Sequence, residues 1–361
     1  MAVILERLRL HDYRNIEAAE IELSPEFNLL AGQNAQGKTS VLEAITLLSL
    51  GRVVRGSRDT EAIREGTEAA SVFGEIQPTG TALGMELFRG RKKRALLNGL
   101  GLARASDLLG RLPSVSFWAG DLELVTGEPA GRRLMMDSEL SQLYPSYFRH
   151  LAIYKRALEQ RNALLKLASD RYVGDELFEV WEAQLGESGH EIRSFRVEWC
   201  EMLAPLAAAA HGEMAPGEAL ALVYLRKDEE PDLTLALAQT RGRDIARGST
   251  SVGPHRDDLE IMVGGRLARQ FGSQGQQRTS VISLKIAVLD LAKQIIGFPP
   301  LLLLDDIFSD LDEHRRARLV YTALSHGGQV VVTCTEAGQA GGELVGRSKI
   351  FRVNQGQVQA E

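Results

Sequence analysis

Short runs in which apolar and polar residues alternate open the chain. Val3 to Leu10, Ile16 to Leu23 and Phe27 to Leu30 read as strands. The period then changes, because Val41, Leu42, Ala44, Ile45, Leu47 and Leu48 crowd the stretch Thr39 to Leu50, which reads as a buried helix. Strand-like runs resume near Ala70 to Ile76, Ala82 to Arg89 and Arg94 to Leu97, punctuated by "PTG" and "NGLG". From about residue 120 the texture turns helical and rich in Leu, Arg, Glu and Ala. In "YPSYFRHLAIYKRALEQRNALLKLA" Phe148, Leu151, Tyr154, Leu158 and Leu165 fall on a helical stripe that Arg161 interrupts, and another helix runs from about Leu177 past Ala208. Strand texture returns at "LALVYLRKD" and ends with "LLLLDD", "QVVVTCT" and "KIFRVNQGQV". There is no internal repeat and no low-complexity linker. The pattern predicts an α/β head split by a helical insertion.

Composition narrows this little. A chain of 361 residues, 44% hydrophobic and 25% charged, is globular and large enough for two domains. Its two cysteines, Cys200 and Cys334, lie in no CxxC or Cys/His cluster, which gives no case for a disulfide framework or zinc and fits a reducing compartment. "MAVILERLRL" meets charge at Glu6, too soon for a secretory signal or a span, so a cytoplasmic location without membrane contact is expected. "IIGFPPLLLL" is broken by Pro299 and Pro300 and reads as a buried strand.

A net charge of −6 carries no global sign of nucleic-acid binding, so any such surface must be a local patch. Arg52, Arg55, Arg58 and Arg64, the run "RGRKKR" from Arg89 to Arg94, and Arg132, Arg133, Arg241, Arg243 and Arg247 are candidates. Each has an ordinary alternative as a solvated face, or for "RGRKKR" as a charged hairpin edge.

Chemistry enters at "GQNAQGKTS". Gly32, Gln33, Asn34, Ala35, Gln36, Gly37, Lys38, Thr39 and Ser40 stand between a strand and a helix, the setting of a phosphate loop. There backbone N–H groups converge on phosphates at the positive end of the helix, Lys38 reaches the terminal phosphates, and the Thr39 hydroxyl ligates Mg²⁺. The alternative is a Gly-rich turn by chance; ATP or GTP is the working ligand. "PLLLLDDIFSDLD" supplies the other half: four leucines suit a strand buried on both faces, and two acids follow. Asp305 is placed to hold Mg²⁺ through water, and Asp306 to orient or deprotonate the attacking water, unless the pair is an N-cap and polar turn. Lys38 and Asp305 must meet although most of the chain separates them, so the intervening region loops out and returns.

Two further stretches stand between these halves. Ser273, Gln274, Gly275 and Gln276 open a long helix and form a second N–H cluster able to meet an anion, or an ordinary helix cap. In "GPHRDD", His255 and Arg256 could meet phosphate or DNA, or brace the loop through Asp257 and Asp258; one His and two adjacent acids do not make a metal set.

Together "LRLHDYRNI", "GQNAQGKTSVLEAI", "DLELVTGEPAGRRLMMD", "YKRALEQRNALLK", "SVGPHRDDLEI", "SQGQQRT" and "LLLLDDIFSDLD" resemble ATPase heads of the ABC and SMC class, and within it the bacterial RecF family. The resemblance spans nearly the whole length. It implies an α/β fold: an ABC/SMC-type P-loop ATPase head, 1–118 plus 235–361, with an inserted helical arm domain, 119–234, that lacks a long coiled coil. It implies ATP and Mg²⁺ as ligands, and an ATP-dependent homodimer in which Ser273, Gln274, Gly275 and Gln276 complete the partner's site while Asp310 and Asp312 form a loop at the dimer contact. It further implies binding to duplex and single-stranded DNA, largely independent of sequence and at gaps or duplex to single-strand junctions, and work with RecR and RecO to favour RecA assembly on coated single strands. The competing readings are an ATP-glued scaffold that docks RecR, and a metabolic P-loop kinase.

Three departures from the wider ABC pattern qualify the carry-over. Asp306 stands where most ABC proteins have Glu, which predicts slow turnover; Thr333 occupies the switch position in place of His; and Ala119 stands where related heads have Gln, with Asp121 nearby.

Overall fold

Leu301 to Leu304 form a strand, Leu301–Asp305, with all five residues buried, because it lies second from the edge of a sheet covered on both faces. In this computed structural model, which describes residues 2–56, 58–309 and 311–361, contacts divide the chain into two compact units. One comprises Met1–Asp121 with Val288–Glu361, the other Leu122–Ala287.

The first unit holds two six-stranded sheets. One runs in the order Gln357–Ala360, Ser348–Asn354, Phe27–Ala31, Val330–Cys334, Leu301–Asp305 and Ser114–Trp118, parallel throughout except for its first strand. The other is antiparallel, in the order Ile16–Glu22, Ile4–Tyr13, Ala69–Gln77, Thr81–Phe88, Arg94–Leu97 and Leu100–Gly101. The helix Lys38–Leu50 packs on strands of both sheets. That is why its apolar residues crowd all round the helix: only Lys38 and the polar Glu43, Thr46 and Ser49 join them as buried positions. One continuous core, from Leu5 and Leu8 through Val41, Ile45 and Leu48 to Val331 and Phe351, joins the layers.

The second unit contains the helices Pro129–Leu143, Pro145–Ala168, Asp175–Met214 and Leu233–Arg247, and a sheet of Leu220–Leu225, Asp258–Val263 and Arg266–Leu267. On the 40-residue helix Asp175–Met214 the buried positions Phe178, Glu182, Leu185, Gly189, Ile192, Arg196, Trp199 and Leu203 follow alternating steps of four and three. Glu182, Gly189 and Arg196 break that series as an apolar pattern, so no apolar heptad is legible in the sequence. Gly186 lets the helix Leu233–Arg247 come close, since a Cβ there would stand 1.9 Å from Thr234 Oγ1.

Arg161, which the hydrophobic pattern marks as an interruption, is fully buried. It donates to Glu182 Oε1 at 3.1 Å, Asp244 Oδ2 at 2.8 Å, Thr250 Oγ1 at 2.9 Å and the Leu237 carbonyl at 2.9 Å. The stripe continues through it as an ion cluster. Residues 235–287 group with the helical segment because Asp258–Val263 pairs with Leu220–Leu225 and Leu233–Arg247 packs on Asp175–Met214. The division by function into head and arm remains a proposal.

Candidate active site

The strand Phe27–Ala31 runs directly into the loop 32–37, and the following helix begins at Lys38. Gly32 is required by a close approach: a Cβ there would lie 2.2 Å from the Val353 carbonyl oxygen, which is backbone and cannot step aside. Ala35 and Gly37 adopt positive φ, 63° and 116°, which curls the loop. No side chain caps the helix at Gly37, and an uncapped helix N-terminus offers its first-turn N–H groups to an anion. Lys38 is buried and folds back over the loop, donating to the carbonyls of Gly32 at 2.5 Å and Gln33 at 2.9 Å. Its ammonium thereby stands over the cradle.

Neighbours hold the loop. Gln36 accepts the Gln355 N–H at 2.7 Å through its side chain and the Gly356 N–H at 2.9 Å through its backbone. Ser40 donates to Asn15 Oδ1 at 2.9 Å, and Asn15 Nδ2 reaches the Ala35 carbonyl at 3.5 Å. Asn15 is a loop support that motif reading alone does not mark.

The two acids arrive from the far end of the chain. Thr39 Oγ1 donates to Asp305 Oδ1 at 2.9 Å, 266 residues away in sequence. Thr333 Oγ1 donates to the same Oδ1 at 2.9 Å and accepts the Asp306 N–H at 2.9 Å. One hydroxyl from the neighbouring strand therefore orients both carboxylate residues. Asp306 itself sits at φ 48°, a conformation that non-glycine residues adopt at a cost.

A cation lies close by. Arg55, offered by the sequence as part of a DNA patch, stands 3.9 Å from Asp305 Oδ2 and 3.5 Å from Glu43 Oε1, with Trp118 5.9 Å away. Glu43 is buried and binds Arg14 Nε at 2.7 Å. Burial pushes its carboxyl above the usual range, against the pull of Arg14 and Arg55.

The donor set suits Mg²⁺. Thr39 and Asp305 offer hard oxygen atoms, and among the described residues no group of three or more His, Cys, Asp or Glu forms a protein cage for a metal. A cation here would complete its shell with water and phosphate oxygens, as Mg²⁺ does.

Ser273, Gln274, Gly275 and Gln276 belong to the second unit. Ser273 N–H donates to Gln276 Oε1 at 2.9 Å, and Gln276 N–H donates to Ser273 Oγ at 3.2 Å, a reciprocal capping box. Because Ser273 Oγ accepts within the cap, its proton is left for another acceptor. Asp310 lies outside the described residues. Asp312 caps the helix Glu313–Ser325 by accepting the Arg315 N–H at 3.0 Å, and that bond, with the Arg315 charge, holds its carboxyl below the usual range. Asp121 accepts the Trp118 N–H at 2.9 Å, while Ala119 opens a short turn.

"GPHRDD" braces. His255 bridges the Tyr154 hydroxyl at 2.6 Å and the Thr250 carbonyl at 3.1 Å, and Arg256 donates to the same carbonyl at 2.8 Å. Asp257 accepts from Arg193 at 2.8 Å and Tyr224 at 2.7 Å; Asp258 pairs with Arg132 at 2.7 and 3.0 Å. Arg132 is therefore buried structure, not DNA surface, and Arg241 is engaged by Glu182 and Asp175. Arg58, Arg91, Lys92, Arg243 and Arg247 are exposed.

The RecF/RecN/SMC N terminal domain family matches residues 4–358. The chain is 40% identical to the DNA replication and repair protein RecF of Synechococcus sp. (strain JA-3-3Ab), over 98% of this chain and 97% of that protein. It is equally identical to the RecF of Symbiobacterium thermophilum, over 92% and 91%. A solved structure of the recombination mediator protein RecF-ATP in the RecFOR pathway superposes with a TM-score of 0.91 at 30% identity, covering 100% of this chain and 98% of that one. An Smc head domain from Pyrococcus furiosus, at 18% identity and a TM-score of 0.57 over 99% and 96%, shares the fold.

Proposed function

This chain belongs to the RecF family of DNA replication and repair proteins, a branch of the SMC-type ATPases, and from that premise we propose that it is an ATP-gated DNA-binding ATPase of recombinational repair. The observation that carries the reading is the 2.9 Å contact between Thr39 and Asp305, which joins the phosphate loop to the acid strand. Loop N–H groups and Lys38 bind the phosphates of ATP. Thr39 would ligate Mg²⁺ and Asp305 would hold it through water, and the ion would neutralise charge on those phosphates. Asp306 orients the attacking water, and Thr333 orients Asp306 and Asp305 together. An aspartate reaches less far than a glutamate, so turnover is slow.

Ser273 and Gly275 of the signature meet the γ-phosphate held by Lys38 of a second copy, with Asp312 near the dimer contact. ATP then closes the dimer and hydrolysis releases it. DNA binds through exposed cationic residues, chiefly by phosphate contacts and with little sequence preference. Gaps and duplex to single-strand junctions are the proposed targets, RecR and RecO the partners, RecA loading the outcome and the cytoplasm the place. Among the described residues no helix is long and apolar enough to cross a membrane.

The short Asp306 and its strained φ of 48° favour one other reading, in which ATP glues the dimer as a scaffold for RecR and hydrolysis is incidental. Asp306→Asn separates the two in a repair assay. A clamp that must recycle stays on DNA and repair fails; a scaffold with trapped ATP keeps repairing.

A further inference from the structure

Glu218 lies in the short connection 215–219 between the helix Asp175–Met214 and the strand Leu220–Leu225, outside the phosphate loop, the acid strand and the signature. Its carboxylate meets the signature from the side of the long helix. Gln276 Nε2 donates to Glu218 Oε1 at 3.2 Å, and Glu218 Oε2 lies 3.6 Å from Nε2 of His211. Resting on the reading of Ser273 as a γ-phosphate donor to a second copy, we propose that Glu218 is a positioning residue for the ATPase, acting on the signature through Gln276.

Donors and acceptors dictate the arrangement. A side-chain amide has an accepting end and a donating end, and it turns over with little change of shape. Ser273 N–H needs the oxygen end of Gln276, 2.9 Å away. A carboxylate only accepts, so Glu218 needs the NH₂ end. Both demands select the same orientation and together lock it. The Gln276 backbone N–H then occupies Ser273 Oγ at 3.2 Å, which limits where the serine proton can point.

The other carboxylate oxygen of Glu218 faces His211, whose Nε2 makes no hydrogen bond among the described residues. Ser283 Oγ donates to the Thr279 carbonyl at 2.7 Å, so toward His211 Nδ1, 3.3 Å away, it acts as acceptor. That contact fixes the imidazole, which is fully buried in the last turn of the long helix, with its Nε2 edge toward Glu218. With the ring proton on Nδ1 and burial disfavouring the imidazolium, Nε2 offers Glu218 no proton, so it is Gln276 that holds the carboxylate.

The swap of the two side chains tests this. Gln276→Glu sets two carboxylates against each other and is expected to lower kcat about tenfold by turning the cap. Adding Glu218→Gln returns one donor and one acceptor, and is expected to bring kcat back to within about threefold of the parent. Binding of a fluorescent ATP analogue at protein concentrations too low for dimerisation should be the same in all variants, since the phosphate loop is untouched. Glu218 is 38% exposed, so its replacement does not threaten the fold.

A double variant no faster than Gln276→Glu, alongside an inactive Ser273→Arg control, overturns the role of Glu218. An active Ser273→Arg control overturns instead the trans reading on which the proposal stands.

Discussion

The Thr333 hydroxyl donates to Asp305 Oδ1 and, at the same 2.9 Å, accepts the backbone N–H of Asp306. One hydroxyl on the strand Val330–Cys334 is thus the hub that aligns both acids. Thr333→Val removes both bonds at nearly constant volume. A hydrogen bond to a charged group contributes about 1.5–3 kcal/mol, so turnover should fall roughly ten- to a hundredfold, while Thr333→Ser retains most of it. Steady-state ATP hydrolysis with parallel nucleotide-binding measurements checks this, and binding should change far less than kcat.

Arg161 predicts a stability effect without an activity effect of its own. Arg161→Met leaves Asp244 buried with its charge uncompensated, while Glu182 keeps Arg241. Breaking a buried pair from one side costs about 3–5 kcal/mol. Urea unfolding should show a lower midpoint, and ATP binding by the remaining folded fraction should be unaltered.

His255 gives the fold a pH dependence. Burial depresses its imidazole from the ordinary 6.5 to about 4. Below pH 6.5 the unfolded chain takes up a proton there that the folded chain refuses until about pH 4. Stability is therefore full above 6.5 and falls as pH drops through that window, by at most about 3 kcal/mol from this group. His255→Gln keeps hydrogen-bonding capacity without the charge change. Its urea midpoint should fall less than that of the parent between pH 7 and pH 4.5.

The exposed cations carry the DNA prediction. Arg91→Ala with Lys92→Ala, or Arg243→Ala with Arg247→Ala, should weaken DNA binding alike for all sequences, and lower the slope of log affinity against log salt by about one for each phosphate that is no longer neutralised. Binding isotherms at several salt concentrations decide. An unchanged slope for both pairs would place the DNA surface elsewhere.

Much of the fold and the site is legible in the residues. "GQNAQGKTS" and "LLLLDD" announce their elements because strand, loop and helix leave different periodicities. The expected strands before residue 100 and the helix Lys38–Leu50 fall within a residue or two of their expected ends, except that the first strand runs on to Tyr13. Ser114–Trp118 and Asp258–Val263 are strands that the sequence pattern does not mark. The second unit is harder to read. Arg161, Glu182 and Arg196 break the apolar periods because a buried cation looks like a surface residue until its acid partners, distant in sequence, are placed beside it. The same long-range pairing hides Arg132 among DNA candidates, sets Arg55 beside Asp305, and gives Thr333 its place. Asn15 stands within "DYRNI", yet only the fold shows it under the phosphate loop.

Hydrolysis of ATP between two copies is the central claim, and mixing tests it most directly. Lys38→Ala disables the phosphate loop of one chain and Ser273→Arg the signature of another, so each variant alone should be inactive. Steady-state turnover is measured over a range of protein concentrations, with DNA carrying a duplex to single-strand junction, for each variant and for their mixture. The account predicts a parent rate per chain that rises with concentration, and a mixture that regains activity because one composite site per mixed dimer is intact. A parent rate indifferent to concentration, with a mixture as inactive as its components, would contradict it.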